Sequence, residues 1–263
     1  MDRFYLGTDR GHWLRTLEDV PLFVSRVTLD RYKKNLPRAT TRWALDSGGF
    51  TELDRHGGWT LSPHRYAAKV RRYSDEIGML DWAAPQDWMC EPHMLANTGL
   101  TVADHQRLTT DNYLDLITIW PDGPFIPVLQ GWTRDDYLRH VDQYASAGVD
   151  LSTQETVGLG SVCRRQALGP AFEIVSSLHP IRIHGFGMKT DGIHEYGALL
   201  ASADSMAWSY AGRLRPDPEC PKTTCNHCLH YALEWRLNVI RPRSRPKLWA
   251  ASSVAVADPK EGQ

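Results

Sequence analysis

The chain has no run of eighteen apolar residues, so no segment is long and apolar enough to cross a bilayer as a helix. Its first residues, Met1 to Leu6, lack the basic stretch and long apolar stretch of a secretory signal, and a cytoplasmic protein is expected. Net charge is nearly absent. Thirty Lys and Arg against 31 Asp and Glu leave −1, so bulk electrostatics do not announce a nucleic-acid or membrane binder. No internal repeat, low-complexity stretch or long linker interrupts the sequence before about residue 213. Cysteine is scarce and odd in number, five in 263 residues, and three of the five cluster at 220, 225 and 228. In a reducing compartment that clustering favours metal over disulfides.

What is present suits a large core. Hydrophobic residues make up 42% of the chain, with ten tryptophans, and 263 residues is a normal length for one α/β barrel. Charge is uneven near the end. Between Arg213 and Lys247, eight Lys and Arg stand against three acids, a local excess of five positive charges. Such a segment either meets phosphate or is a solvated basic tail.

Short apolar runs recur at residues 4–6, 21–24, 43–45, 79–84, 125–129, 156–159, 181–184 and 205–208, giving eight expected strands. Helical patterns lie between the later ones. Ser62-Pro63 supplies a cap and a first-turn proline. Thr101 with Asp104 forms a capping pair before a periodic run to Ile119, and Thr133 opens a helix that Gly148 closes. Residues 164–178 read as a further helix, broken or kinked at Gly169-Pro170. Strand–helix alternation through eight strands predicts an α/β fold of the (β/α)8 TIM-barrel type.

Polar residues gather at the carboxyl ends of those runs. Asp46 follows Leu45, Gln86-Asp87 follows Ala84-Pro85, and Gln130-Gly131 follows Leu129. Gly158-Leu159-Gly160-Ser161 follows Thr156-Val157, Gly185-Phe186-Gly187 follows Ile183-His184, and Asp204 opens the last run. In a barrel these ends share one rim, where catalytic residues collect. The segment Trp43-Ala44-Leu45-Asp46-Ser47-Gly48-Gly49-Phe50 is the clearest case: a buried strand ending in a carboxylate, then a glycine turn and an aromatic. Two rim carboxylates can divide labour as nucleophile at a sugar carbon and general acid or base. A third, with a glutamine amide and glycine backbone, can read the edge of a flat heterocycle on which Phe50 stacks. This inventory points to glycosidic-bond chemistry with a base-like ligand.

At these residues the sequence resembles the tRNA-guanine transglycosylase family, and more closely its DNA-modifying branch, the DpdA proteins. The matching segments are residues 46–50, 85–91, 127–131, 158–161, 184–187 and 204–213 and the cysteine cluster, in the family's order. The resemblance implies a (β/α)8 barrel with a small C-terminal zinc-binding subdomain. The expected parts are a catalytic barrel over 1–212, a zinc lobe over 213–249 with a helix packed on the barrel, and a flexible tail over 250–263. It implies a pentosyltransferase that exchanges guanine in a nucleic acid for a 7-deazaguanine through a covalent aspartyl-sugar intermediate. Asp204 would then be the nucleophile and Asp46 the general acid/base. Asp87, Gln130, Gly131 and the backbone of Gly158 and Leu159 would read the base edge. Phe50, Ser47, Gly48, His184 and Gly185 would complete the substrate pocket, and Arg213 would meet nucleic acid.

Three departures favour DNA over tRNA, and a neutral base. Val162-Cys163 stands where bacterial tRNA enzymes carry a glutamate for an aminomethyl group, which favours the nitrile preQ0 (7-cyano-7-deazaguanine). His184 replaces an apolar residue. The full Pro-Thr-Arg sequence associated with tRNA anticodon-loop recognition is missing after Asp204, and no added RNA-binding domain is seen. The expected partners are DNA and preQ0, with accessory DNA-modification proteins conceivable. Cys220, Cys225 and Cys228 carry zinc-knuckle spacing, with His230 as the preferred fourth ligand and His227 the awkward alternative, so a structural Zn2+ is the expected cofactor. Cys90 and Cys163 read as rim or core residues. The competing readings are tRNA exchange, a non-catalytic zinc-containing DNA-binding protein, and a plain glycoside hydrolase.

Overall fold

The structure is a computed structural model and describes residues 1–162 and 168–241. Cys163, the expected helix start at Arg164, the basic residues Arg243, Arg245 and Lys247 and the tail from Ala250 lie outside the described residues. The strands are β1 (Arg3–Thr8), β2 (Leu22–Ser25), β3 (Trp43–Asp46), β4 (Leu80–Ala83), β5 (Val128–Leu129), β6 (Val157–Leu159), β7 (Ile183–Gly185) and β8 (Ser202–Ser205). They form one eight-stranded sheet in the order β4-β3-β2-β1-β8-β7-β6-β5, and every pairing is parallel. The sheet curls until its edges meet at a single parallel bridge, Ala83 to Phe125. The fold is therefore α/β with a curled parallel sheet, and the described ladder stops short of full closure between β4 and β5.

Strand parity decides what faces inward. Tyr5, Ala44, Trp82 and Ile126 form a small inner cluster with Phe23 and Phe186. Their strand neighbours Leu6, Leu22, Val24, Trp43, Leu45 and Ala83 face outward into the main core beneath the helices. Successive side chains point to opposite faces. The same count that sends Ala44 inward sends Asp46 inward, and Ala203 packs outward while Asp204 does not.

The helices are α1 (Arg26–Leu29), α2 (Gly49–His56), α3 (Pro63–Ile77), α4 (Pro92–Thr98), α5 (Val102–Ile119), α6 (Arg134–Ser146), α7 (Leu168–Ser177), α8 (Thr190–Tyr196), α9 (Ala207–Leu214) and α10 (Leu229–Ile240). Local chemistry sets their starts. Ser62 Oγ accepts from the Arg65 N–H and Pro63 occupies the first turn. Thr101 with Asp104 and Thr133 with Asp136 close full capping boxes.

One expectation is corrected. Residues 205–208 are not a strand. The strand is Ser202–Ser205, with Asp204 inside it, and Ala207-Trp208 opens α9. The Trp208 indole N–H donates to the Gly7 carbonyl at 2.8 Å, which ties that helix start to β1. Gly169-Pro170 lies in the first described turn of α7, and the expected helix residues before Leu168 lie outside the described residues. At the chain's end α10 packs on α8, α9 and β1, with Trp235 6.2 Å from Phe4 between ring centres.

Candidate active site

The carboxyl ends of the strands enclose a cavity of about 180 Å3 lined by Asp46, Asp87, Glu91 and Asp204, with Gln130, Ser161, aromatic Phe23, Phe50 and Phe186, and glycine backbone. Two larger cavities lie elsewhere. One, about 490 Å3, is an apolar groove between α6 and α7. The other, about 610 Å3, opens at the amino end of the sheet, where Arg3 and Arg42 are both paired to Asp81. Neither gathers reactive groups as the rim cavity does.

Asp204 is buried and its two oxygens differ. Oδ1 accepts the Gly187 N–H at 2.8 Å and faces His184 Nε2 at 3.3 Å. Oδ2 has no hydrogen bond among the described residues. His184 Nδ1 lies 2.8 Å from Ser202 Oγ, and burial holds the imidazole below its ordinary pKa. The neutral ring has one proton. A carboxylate only accepts, so that proton sits on Nε2 facing Asp204, and Ser202 donates to Nδ1. Tyr5, Phe23, Trp82 and Phe186 surround the ring at 4.6–5.8 Å between centres.

Asp46 ends β3 and accepts the Gly48 N–H at 3.0 Å. Burial, and then the nearby Asp204 charge, raise its pKa. Asp87 is pushed up to about 7, by burial first and by Asp46 second. Its oxygens accept from Ser47 Oγ at 3.1 Å and Gln130 Nε2 at 2.6 Å. Those donors hold the carboxyl pointing into the cavity.

A buried chain continues from Gln130. Ser161 Oγ lies 2.8 Å from Gln130 Oε1 and 2.9 Å from Glu91 Oε2, and accepts the Cys90 N–H at 2.8 Å. Ser161 has one hydroxyl proton, so it serves either the amide or the carboxylate. Its φ of +58° is left-handed, a conformation that costs about 1 kcal/mol for a non-glycine residue and clusters at functional sites.

The glycine turn has two separate causes. Gly48 sits at φ +82°, and a Cβ there would also meet Val27 at 2.8 Å. Gly49 lets the chain pass the Asp87 carboxylate, which a Cβ would approach to 3.3 Å. Arg26 braces the turn from below, donating to the Ser47 carbonyl at 2.9 Å while paired to Glu52 and Asp30 at 2.7 Å. Phe50 is 38% exposed and caps the cavity mouth.

Several expected residues stand apart from the cavity lining. Gly158 makes room for the Phe186 ring, Gly131 for Asp136 and Tyr137, and Gly185 for Met188, while Leu159 packs outward in the core. His184 lies beneath Asp204 instead of against a ligand. The cavity wall on this side is formed by Gly160 and Ser161, two and three residues beyond Gly158. Phe23, Phe186, Glu91 and Ser161 carried no role in the sequence. The last three did sit inside the quoted segments, which was their one signal. Arg213 is exposed near the end of α9.

Beyond the same end of α9, the sulfurs of Cys220, Cys225 and Cys228 lie within 4.8 Å of one another and could hold a metal. Cys225 is fully buried, and its N–H donates to the Gly212 carbonyl at 2.8 Å. The Lys222 backbone N–H, with the neighbouring thiols, holds Cys220 below its ordinary pKa. Three thiols converging with one lowered pKa fit a thiophilic metal such as zinc. His230 is not in this group: its Nε2 lies 3.7 Å from Asp217 and 3.9 Å from Glu234.

A curled parallel sheet with four carboxylates at its carboxyl rim defines an α/β protein of the rim-site class, equipped for acid–base and nucleophilic chemistry. The family described as DpdA, DeoxyPurine in DNA protein A, matches residues 1–258, and the chain belongs to it. That makes it a DNA modification protein related to transglycosylases. No curated protein matches the chain.

Proposed function

We propose that this protein is a DNA-guanine transglycosylase that exchanges guanine in DNA for a 7-deazaguanine, preQ0 being the base the sequence favours. The observation that carries this reading is the asymmetry of Asp204, one oxygen tethered and the other free in a cavity bounded by flat aromatic walls. Oδ2 attacks C1′ of an extruded deoxyguanosine. The C1′–N9 bond breaks, its electron pair leaves with the base, and a deoxyribosyl ester forms on Asp204. Asp46, its pKa raised, protonates the departing guanine and takes a proton back from the incoming base, whose nitrogen displaces Oδ2. The proton count closes with no water, redox carrier or nucleotide consumed.

Asp87 reads the donor edge of the base, held by Ser47 and Gln130. Ser161 anchors Gln130, and Phe50 covers the base face. Full closure of the sheet into a (β/α)8 barrel belongs to the same reading, as does a structural zinc on Cys220, Cys225 and Cys228 in a lobe over 213–249. When bound, that metal would supply folding energy to the lobe and no step of the reaction.

Incubation with DNA and labelled preQ0, with labelled guanine in parallel, tests the proposal. Label should enter guanine positions of DNA and not tRNA. Label in tRNA alone, or in neither polymer while DNA binding persists, overturns it.

A further inference from the structure

The four carboxylates of the cavity pose a problem for any polyanionic substrate: they repel the phosphates on either side of the nucleotide being exchanged. Cations near the rim must offset that repulsion. The structure has a separate recess where they converge. A pocket of about 210 Å3 is lined by Asp9, Arg10, Gly11, His12, Thr28, Arg31 and Tyr32.

Its position is set by the sheet. Asp9 and Arg10 come immediately after β1, whose neighbours are β8 and β2. Tyr5 pairs with Asp204 on one side and Thr8 with Val24 on the other. One strand further on, Ser25 pairs with Asp46. The recess therefore stands on the reactive rim, just beyond β1, which with β2 separates the strands that carry Asp204 and Asp46. On its far side it meets the cysteine segment, where His227 Nδ1 lies 3.5 Å from Asp9 Oδ1.

The groups in it are unusually unspent. Arg10 Nε and Asp9 Oδ1 are buried and lack a hydrogen bond, their mutual approach being 3.5 Å. A buried donor held only by this long ion pair keeps its hydrogen-bonding capacity for a partner. Arg31 is exposed and forms no ion pair or side-chain hydrogen bond among the described residues. By contrast, Arg26 nearby is committed to Ser47, Asp30 and Glu52. The Tyr32 ring lies against Gly11, where a Cβ would come within 2.9 Å of it, so glycine keeps the recess open. Thr28 and Tyr32 add hydroxyl donors to the two guanidinium groups and the His12 imidazole. Asp9 is the one acid in the wall, its Oδ1 3.5 Å from both Arg10 Nε and His227 Nδ1.

We propose that Arg10 and Arg31, with His12, Thr28 and Tyr32, hold a backbone phosphate of the DNA strand next to the nucleotide under exchange. This rests on the base-exchange reading above. Two guanidinium groups and hydroxyls around a small recess match the tetrahedral, multiply accepting phosphate. The contact positions the strand and reads no sequence.

The test is binding of a guanine-containing single-stranded oligodeoxynucleotide across a range of salt, for wild type and for Arg10→Ala/Arg31→Ala. Loss of one phosphate contact should weaken binding roughly tenfold and flatten the slope of log affinity against log salt by about 0.7. Binding of free labelled base should not change. Arg31→Glu is exposed and unpaired, so it keeps the test alive if the double variant fails to fold, and it should weaken binding further. Affinity and slope equal to wild type, or weaker binding with an unchanged slope, would overturn the phosphate site alone. Failure of the wild-type chain to exchange base at all would instead overturn the reading it rests on.

Discussion

His184 Nε2 stands 3.3 Å from Asp204 Oδ1, the same oxygen that accepts the Gly187 N–H at 2.8 Å. Two donors on one oxygen fix the carboxylate's rotation and leave Oδ2 as the oxygen the proposed exchange uses. A buried histidine is an odd choice for a space-filler, since an apolar ring would fit the surrounding aromatics equally well. Under the proposed exchange, it holds one oxygen still.

His184→Phe keeps the ring and removes the tether. A misdirected nucleophile at this scale costs about 100-fold in rate. The expected result is kcat lower by about that factor, with KM for the base little changed, read from single-turnover and steady-state exchange. A kcat within about twofold of wild type would remove His184 from the positioning role.

Asp87 gives a pH signature with two opposite signs. Its folded pKa of about 7 lies above the roughly 3.9 of an unfolded aspartate. The folded chain therefore binds this proton more tightly, and the stability it confers is present in acid and lost as pH rises through about 4 to about 7. Urea unfolding should give a larger free energy at pH 5 than at pH 8, and Asp87→Asn should narrow the difference. Base binding runs the other way. The ionised carboxyl is the acceptor, so KM for the base should fall as pH rises through about 7. An unchanged stability gap in the variant would contradict the assignment.

How much of this was legible in the sequence follows from what is local and what is not. Thr101, Thr133 and Ser62 announce helix starts because a cap contacts residues three positions away. Asp46 is legible because its strand, turn and aromatic are contiguous. Gly158 was read as a base contact, whereas Gly160 and Ser161 line the cavity. Strand parity points Gly158 and Gly160 to the same inner face, and only their height above the sheet separates them. That height depends on how β5, β6 and β7 stagger. Phe23 was hidden for the same reason: its site role exists only once β2 stands opposite Phe186, 5.9 Å away. The strand placed at 205–208 failed because a helix start docked on β1 through Trp208 has the same apolar composition as a strand.

The cysteine cluster makes a separable prediction. A structural zinc contributes on the order of 10 kcal/mol to a small lobe. Purified protein should contain about one equivalent of zinc, and Cys225→Ser should lose it together with helical signal from α10. His230→Ala should retain the metal, because His230 is grouped with Asp217 and Glu234. Metal-free protein with an unchanged melting curve would contradict a structural role.

The central claim is that Asp204 carries the deoxyribose. The direct measurement is peptide mass spectrometry after incubation with guanine-containing DNA without added base, quenched in acid. The account predicts a deoxyribosyl–DNA adduct on the peptide containing Asp204, absent in Asp204→Asn and lost on adding the 7-deazaguanine. An adduct on Asp46, or the same adduct in Asp204→Asn, would contradict it.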